Sequence, residues 1–170
     1  MIDLAQWVQR LPPELATFVI AALPISELRG AIPVALGVYK LPLWSALLWA
    51  ILGNLAPIPI ILRLLEPVSN FLRQRSRMWD RFFHWLFART RQRGEHYFRV
   101  YEEVGLILFV AVPLPMTGAW TGSVAAFLFG IPPGRSFALI AVGVLIAASV
   151  VTAATLGVSW LAFFAGSHAY

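Results

Sequence analysis

Four long stretches of this chain, residues 14–38, 43–65, 104–131 and 136–165, are predominantly apolar, and each is long enough to cross or enter a hydrocarbon core about 30 Å thick. In lipid every backbone N–H and C=O must be satisfied within the protein, so segments of this kind have to be helical. Composition agrees: 59% of the 170 residues are apolar, only 12% are charged, and the mean hydropathy is +0.76. A soluble domain carries charge on about 25% of its residues, and disorder demands low hydrophobicity, so both classes are excluded. The expectation is an all-α integral membrane protein, a single membrane domain in which every embedded element packs against the others.

The formal net charge of +5 and the pI near 10.4 do not point to nucleic acid, because the charge is concentrated in one place. Nine of the thirteen basic residues lie between Arg63 and Arg99, all of them arginine, with Glu66, Asp80, Glu95, Glu102 and Glu103 in or beside the same stretch. A basic loop between apolar spans belongs in the cytoplasm by the positive-inside rule. The linker, about Pro67 to Arg99, places Phe71, Leu72, Met78, Trp79, Phe82, Phe83, Leu86 and Phe87 at helical spacing opposite Arg73, Arg77 and Arg81. Such a helix lies in the headgroup plane and contacts anionic lipid through its arginines. Gly94 can end it, and the same face could instead hold a partner membrane protein. Met1–Leu11, with Ile2, Ala5, Val8 and Leu11 on one side, reads as a short surface helix rather than a signal peptide. With no cysteine there is no disulfide, thiolate nucleophile or cysteine metal site.

Shifted by 91 residues, the two halves align without gaps. Leu15, Phe18, Val19, Leu23, Pro24, Ala35, Pro42, Ser45, Leu48 and Ala50 meet Leu106, Phe109, Val110, Leu114, Pro115, Ala126, Pro133, Ser136, Leu139 and Ala141. Both halves space two of these prolines 18 residues apart. Interrupted apolar segments at matching places are the mark of transporter repeats. Two topologies follow. Either 14–38 and 104–131 are helices kinked by Pro24, Pro33, Pro113 and Pro115, giving four crossings, or each is a re-entrant hairpin entering from opposite faces, with full crossings at 43–65 and 136–165. The second is favoured, as an inverted repeat of re-entrant hairpin plus transmembrane helix: 1–66, a basic amphipathic linker over 67–103, then 104–170.

The chemistry concentrates at the breaks. Pro24-Ile25-Ser26-Glu27-Leu28-Arg29-Gly30 sets two ionisable side chains in an apolar run, where a charge costs about 2.5–3.5 kcal/mol on the insertion scale and is functional by default. Glu27 is a candidate proton carrier. Arg29 keeps its charge and suits a phosphate or carboxylate, and the two can pair only if the chain turns between them. A structural ion pair pinning the tip is the competing reading. The matching segment around Pro115, Thr117, Gly118, Trp120, Thr121 and Gly122 is uncharged and can line a polar path, or use Gly118 and Gly122 for close helix packing. Asn54, in Gly53-Asn54 before Pro57 and Pro59, is a polar group that must find a partner, and the breaks are nearest. Glu66-Pro67 reads as the cytoplasmic end of the first full helix. No His-Glu-x-x-His, nucleophile–base pair or phosphate loop exists, so no enzyme, metal or cofactor is expected.

Pro-Ile-Ser-Glu-Leu-Arg-Gly-Ala-Ile-Pro at 24–33, Gly-Asn-x-x-Pro at 53–57, Leu-Glu-Pro at 65–67 and Pro-Leu-Pro-Met-Thr-Gly-Ala-Trp-Thr-Gly at 113–122 resemble the bacterial small multi-drug export protein family, over about Pro24 to Val151. That family is distantly similar to the DedA/VTT membrane superfamily. The resemblance implies paired re-entrant hairpins and proton-linked movement of lipid carriers or lipid scrambling, with Glu27 matching the acidic residue of the first hairpin. The uncharged second tip lacks the arginines of DedA proteins. The expected function is proton-coupled transport of a small molecule or lipid-linked anion across the bacterial inner membrane by a homo-oligomer, with Ser26, Glu27, Arg29 and Asn54 at its centre. The alternative is a membrane scaffold that holds partner proteins or anionic lipid through the linker.

Overall fold

A computed structural model describes residues 11–75, 96–114 and 117–167. All secondary structure among them is helical: α1 (Pro13–Ala22), α2 (Glu27–Pro33) continuing into a π turn (Val34–Val38), α3 (Leu43–Leu55), α4 (Ile58–Arg75), α5 (His96–Ala111), α6 (Ala119–Leu128) and α7 (Pro133–Ser167). Two stretches are long and apolar enough to cross a membrane, Leu43–Phe71 and Pro133–Val158. The chain divides into two compact units, Met1–Asn54 with Leu145–Tyr170, and Leu55–Val144.

In the first unit, α1 opens on Pro12–Pro13, whose fixed φ suits a first turn. It stops because Leu23 precedes a proline and is driven extended, at φ −76° and ψ 137°. The chain turns over 24–26, and α2 then packs back against α1. A Cβ on Gly30 would lie 3.9 Å from Ile20 Cγ2, whereas ten residues of unbroken helix would separate the two positions by about 15 Å. Pro33 sits inside α2, and the π turn follows it directly. Lys40, at φ 54°, turns the chain into α3. There Gly53 meets the backbone of Phe18 so closely that a Cβ would overlap the Phe18 carbonyl, while the Phe18 ring packs edge-on against Trp49 at 6.5 Å between centroids.

The second unit holds α4, α5, α6 and the start of α7. α5 ends before Pro113, and α6 packs on both α5 and α4. Gly130, at φ 70°, closes α6 in a Schellman motif, with Gly130 N donating to Phe127 O and Ile131 N to Ala126 O, both at 3.0 Å. On α7, a Cβ at Gly143 would stand 2.7 Å from Val110 Cβ and 3.0 Å from Ile107 O. Glu103 and Arg135 join α5 to the first turn of α7 through two parallel bonds, at 2.8 and 3.2 Å.

The 91-residue correspondence extends to packing. Leu28, Ala31, Ile32 and Ala35 are buried on α2 and its π turn; their counterparts Ala119, Gly122, Ser123 and Ala126 are buried on α6. The spacing i, i+3, i+4, i+7 is one face of a helix. α3 and α7 each carry a close-contact glycine at the eleventh position, Gly53 and Gly143, facing α1 and α5 respectively. The arms α1 and α6 have ten residues each, about 15 Å, half of what a crossing requires.

One expected boundary shifts. Glu66-Pro67 does not end the helix; α4 runs through it to Arg75. Proline removes one backbone bond but leaves the packing face intact, and Ile58, Leu62 and Ser69 stay buried along α4. Ser69 Oγ donates to Glu66 O at 2.8 Å just past the proline. The expected surface helix, apart from Leu11 at its end, and most of the expected basic amphipathic helix, including Arg77, Arg81 and Gly94, fall outside the described residues, as does Pro115.

Gly53→Ala places a methyl into the Phe18 backbone, which cannot yield as a side chain would, and overpacking of this kind costs about 1–3 kcal/mol. The variant is expected to unfold at clearly lower temperature in detergent. Gly157→Ala, where nothing lies within 4 Å, is expected to unfold at or above the wild-type temperature.

Candidate functional site

Breaking a helix in apolar surroundings leaves carbonyls without donors. Pro24 has no N–H, so Ile20 O loses the partner a continuous helix would give it. Ser26 Oγ donates to Ile20 O at 3.0 Å, and Leu23 N adds a bond at 3.3 Å. The next carbonyl, Ala21 O, accepts from Asn54 Nδ2 of α3 at 3.3 Å, and Leu23 O accepts from Glu27 N at 3.1 Å. The break is therefore held by a serine hydroxyl from its own tip and an amide from the neighbouring full helix.

A hydroxyl also holds the backbone at the second break, here on a carbonyl just past the end of α5. Thr117 Oγ1 donates to Val112 O at 2.6 Å, lies 3.0 Å from Leu114 O, and accepts from Leu114 N at 3.0 Å. Ser26 and Thr117 are counterparts at the 91-residue offset. A comparison by identity passes over this pair, since one residue is serine and the other threonine; the shared hydroxyl was the available signal.

The residues that follow are counterparts too. Glu27 has φ 45° and Gly118 has φ 141°. Both breaks thus re-enter helix through a positive φ. Glycine adopts it without cost, whereas an L side chain pays about 1–2 kcal/mol. The first unit keeps glutamate at this position, buried at 8% exposure, where the second uses glycine. Strained residues of this kind persist only where the surrounding structure holds them, and they cluster at functional sites; Lys40, at φ 54°, instead serves a turn.

Arg29 lies two residues on, half-buried, and its Nη2 donates to Ile25 O at 3.1 Å across the tip. Asn54 is 1% exposed; its Nδ2 is used on Ala21, and its Oδ1 has no partner among the described residues. An acceptor left so costs about 1–3 kcal/mol. The structure therefore brings Ser26 and Asn54 onto adjacent carbonyls of one helix end, with Glu27 and Arg29 in the first turn of α2. In the second break Gly118 and Gly122 are buried, Trp120 is half-buried, and Thr121 is exposed with its hydroxyl 3.4 Å from Gly118 O. A Cβ on Gly122 would lie 2.5 Å from Val110 Cγ2, so this glycine serves the close approach of α6 to α5. Arg73 falls in the last turn of α4. Among the described residues no cluster of His, Asp or Glu could hold a metal ion.

A family model described as "Putative small multi-drug export protein" matches residues 27–150, well over half of the chain. The protein belongs to this small multi-drug export family. The match begins at Glu27 and takes in Gly53, Gly143 and the whole second break, while α1 and Ser26 precede it. No curated protein and no solved structure matches the chain. With two apolar helices long enough to cross, this member of the export family is an integral membrane protein.

Replacing Glu27 by glycine or by alanine removes the carboxylate in both cases and changes only what the positive φ costs. Glu27→Gly is expected to be more stable than Glu27→Ala by about 1 kcal/mol, read as a higher unfolding temperature in detergent. Equal temperatures would contradict the strained backbone.

Proposed function

We propose that this protein is a proton-coupled exporter of small molecules in the bacterial inner membrane, with Glu27 as the residue whose protonation drives the cycle. The observation that carries this is the glutamate retained at φ 45° in the position where the second unit has glycine. The description of its family as a small multi-drug export protein supports the reading of outward movement of small molecules.

In this reading the two breaks are re-entrant hairpins arranged as an inverted repeat, entering from opposite faces. Their short arms and back-folded packing support it, since a 10-residue arm is too short to cross alone. Ser26 and Asn54 hold the first tip open at the carbonyls of α1, and Arg29 neutralises Glu27 or contacts an anionic group on the cargo. Thr117, Trp120 and Thr121 serve the half-path that opens to the other face. The arginine-rich linker faces the cytoplasm, Arg73, Arg77 and Arg81 hold anionic lipid, and the working form is a homo-oligomer, because one short chain encloses little space.

The test uses proteoliposomes with trapped pyranine as pH reporter and ethidium as cargo. Wild-type protein is expected to accelerate ethidium movement when a pH gradient is imposed. Glu27→Gln should abolish the pH-dependent component while inserting and unfolding normally. Full pH-dependent transport by that variant would remove Glu27 from the mechanism. If replacing Arg73, Arg77 and Arg81 with glutamine mattered more than Glu27→Gln, the protein would be a lipid-anchored scaffold instead.

A further inference from the structure

Asn54 carries a polar atom that the tip's hydrogen bonding leaves over. Its amide offers two N–H donors and one carbonyl acceptor. Donation from Nδ2 to Ala21 O at 3.3 Å fixes which way the group points, because the flipped amide would set oxygen against oxygen. Oδ1 must then be the atom directed away from α1, and it is buried with no partner among the described residues.

A second oxygen in the same unit shares this condition. Thr152 Oγ1 on α7 is buried and without a partner among the described residues. Its neighbours behave differently: Ser149 Oγ donates to Leu145 O at 3.0 Å and Thr155 Oγ1 to Val151 O at 2.8 Å, each four residues back along the helix. Thr152 does not make that bond, so its hydroxyl is free to serve another group. Glu27, the third buried polar side chain of interest, belongs to this unit as well. In protein interiors, groups of this kind are satisfied by internal water, which takes two to four polar partners.

We propose that the first unit binds an internal water that donates to Asn54 Oδ1, and that this water belongs to the proton path serving Glu27. The second clause rests on the proton-coupling reading above; the first does not. A water giving one hydrogen to Oδ1 keeps its other hydrogen and its lone pairs. It can accept a proton on oxygen and release the second hydrogen along the path without any change in the amide. Asn54 exchanges no proton itself and acts as a positioning residue that orients the water.

The sequence makes the site directly observable, because the chain has only two asparagines, Asn54 and Asn70. Asn70 is exposed and provides an internal reference. Protein labelled with 13C,15N-asparagine, in liposomes, is studied by water-edited solid-state NMR, with Asn70→Gln assigning the two side-chain signals. Transfer from water to the Asn54 Cγ and Nδ2 signals is expected at the short mixing times that already light up Asn70. Build-up as slow as that of buried alanine methyls would overturn the water site. Asn54→Leu is expected to slow pH-driven ethidium transport severalfold, and unchanged transport would overturn the water's part in the path. Repeating the NMR measurement on Glu27→Gln separates the two readings, because the Asn54 water signal should persist whatever that variant does to transport.

Discussion

The carbonyls freed where a helix breaks in apolar surroundings set the terms for the rest of this molecule. A proline at position 24 or 113 removes a donor that lipid cannot replace. At each break a hydroxyl takes a backbone carbonyl: Ser26 that of Ile20, which Pro24 leaves without its donor, and Thr117 that of Val112, just past the end of α5, the two hydroxyls standing 91 residues apart. Once the break is held, the second arm folds back on the first, and the arms can be short because they pack on each other. The same break gives Asn54 its partner: Ala21 O, next after Ile20 O, accepts from the amide that α3 supplies.

Close packing of the full helices follows from this arrangement. An arm anchored at its tip can approach α3 or α7 only where the full helix has no Cβ, and each unit meets the requirement with a glycine at the eleventh position. The units differ where function would be expected to separate them. Both re-enter helix through a positive φ, but one does so with a buried glutamate and the other with glycine. The two breaks therefore share their backbone course and differ in charge, with the carboxylate at one of them alone.

Much of this was legible in the sequence. The apolar runs and the prolines marked the breaks, and the 91-residue offset paired the positions that carry the tip hydroxyls and the buried faces of α2 and α6. Glu27 and Arg29 stood out by charge, and Asn54 by being polar beside two prolines. What the sequence could not reveal was geometry without a residue signature. The positive φ of Glu27 runs against its residue type, and the orphaned oxygens of Asn54 and Thr152 depend on which way side chains point. The continuation of α4 past Glu66-Pro67 was hidden because a proline in sequence signals a stop, while the burial of Ile58, Leu62 and Ser69 that carries the helix onward is a property of the packed unit.

Whether the two breaks open to opposite sides of the membrane is the point on which the exporter account stands. The absence of cysteine gives a silent background, and the structure indicates better labelling positions than the hydroxyls that hold the tips: Ile25, 85% exposed, and Leu114, 55% exposed. Single cysteines there would be reacted with a membrane-impermeant thiol reagent in intact and inverted vesicles. Labelling of Ile25→Cys from outside and Leu114→Cys from inside is the result expected of two oppositely entering hairpins. Labelling of both from one face, or of neither, would contradict the account.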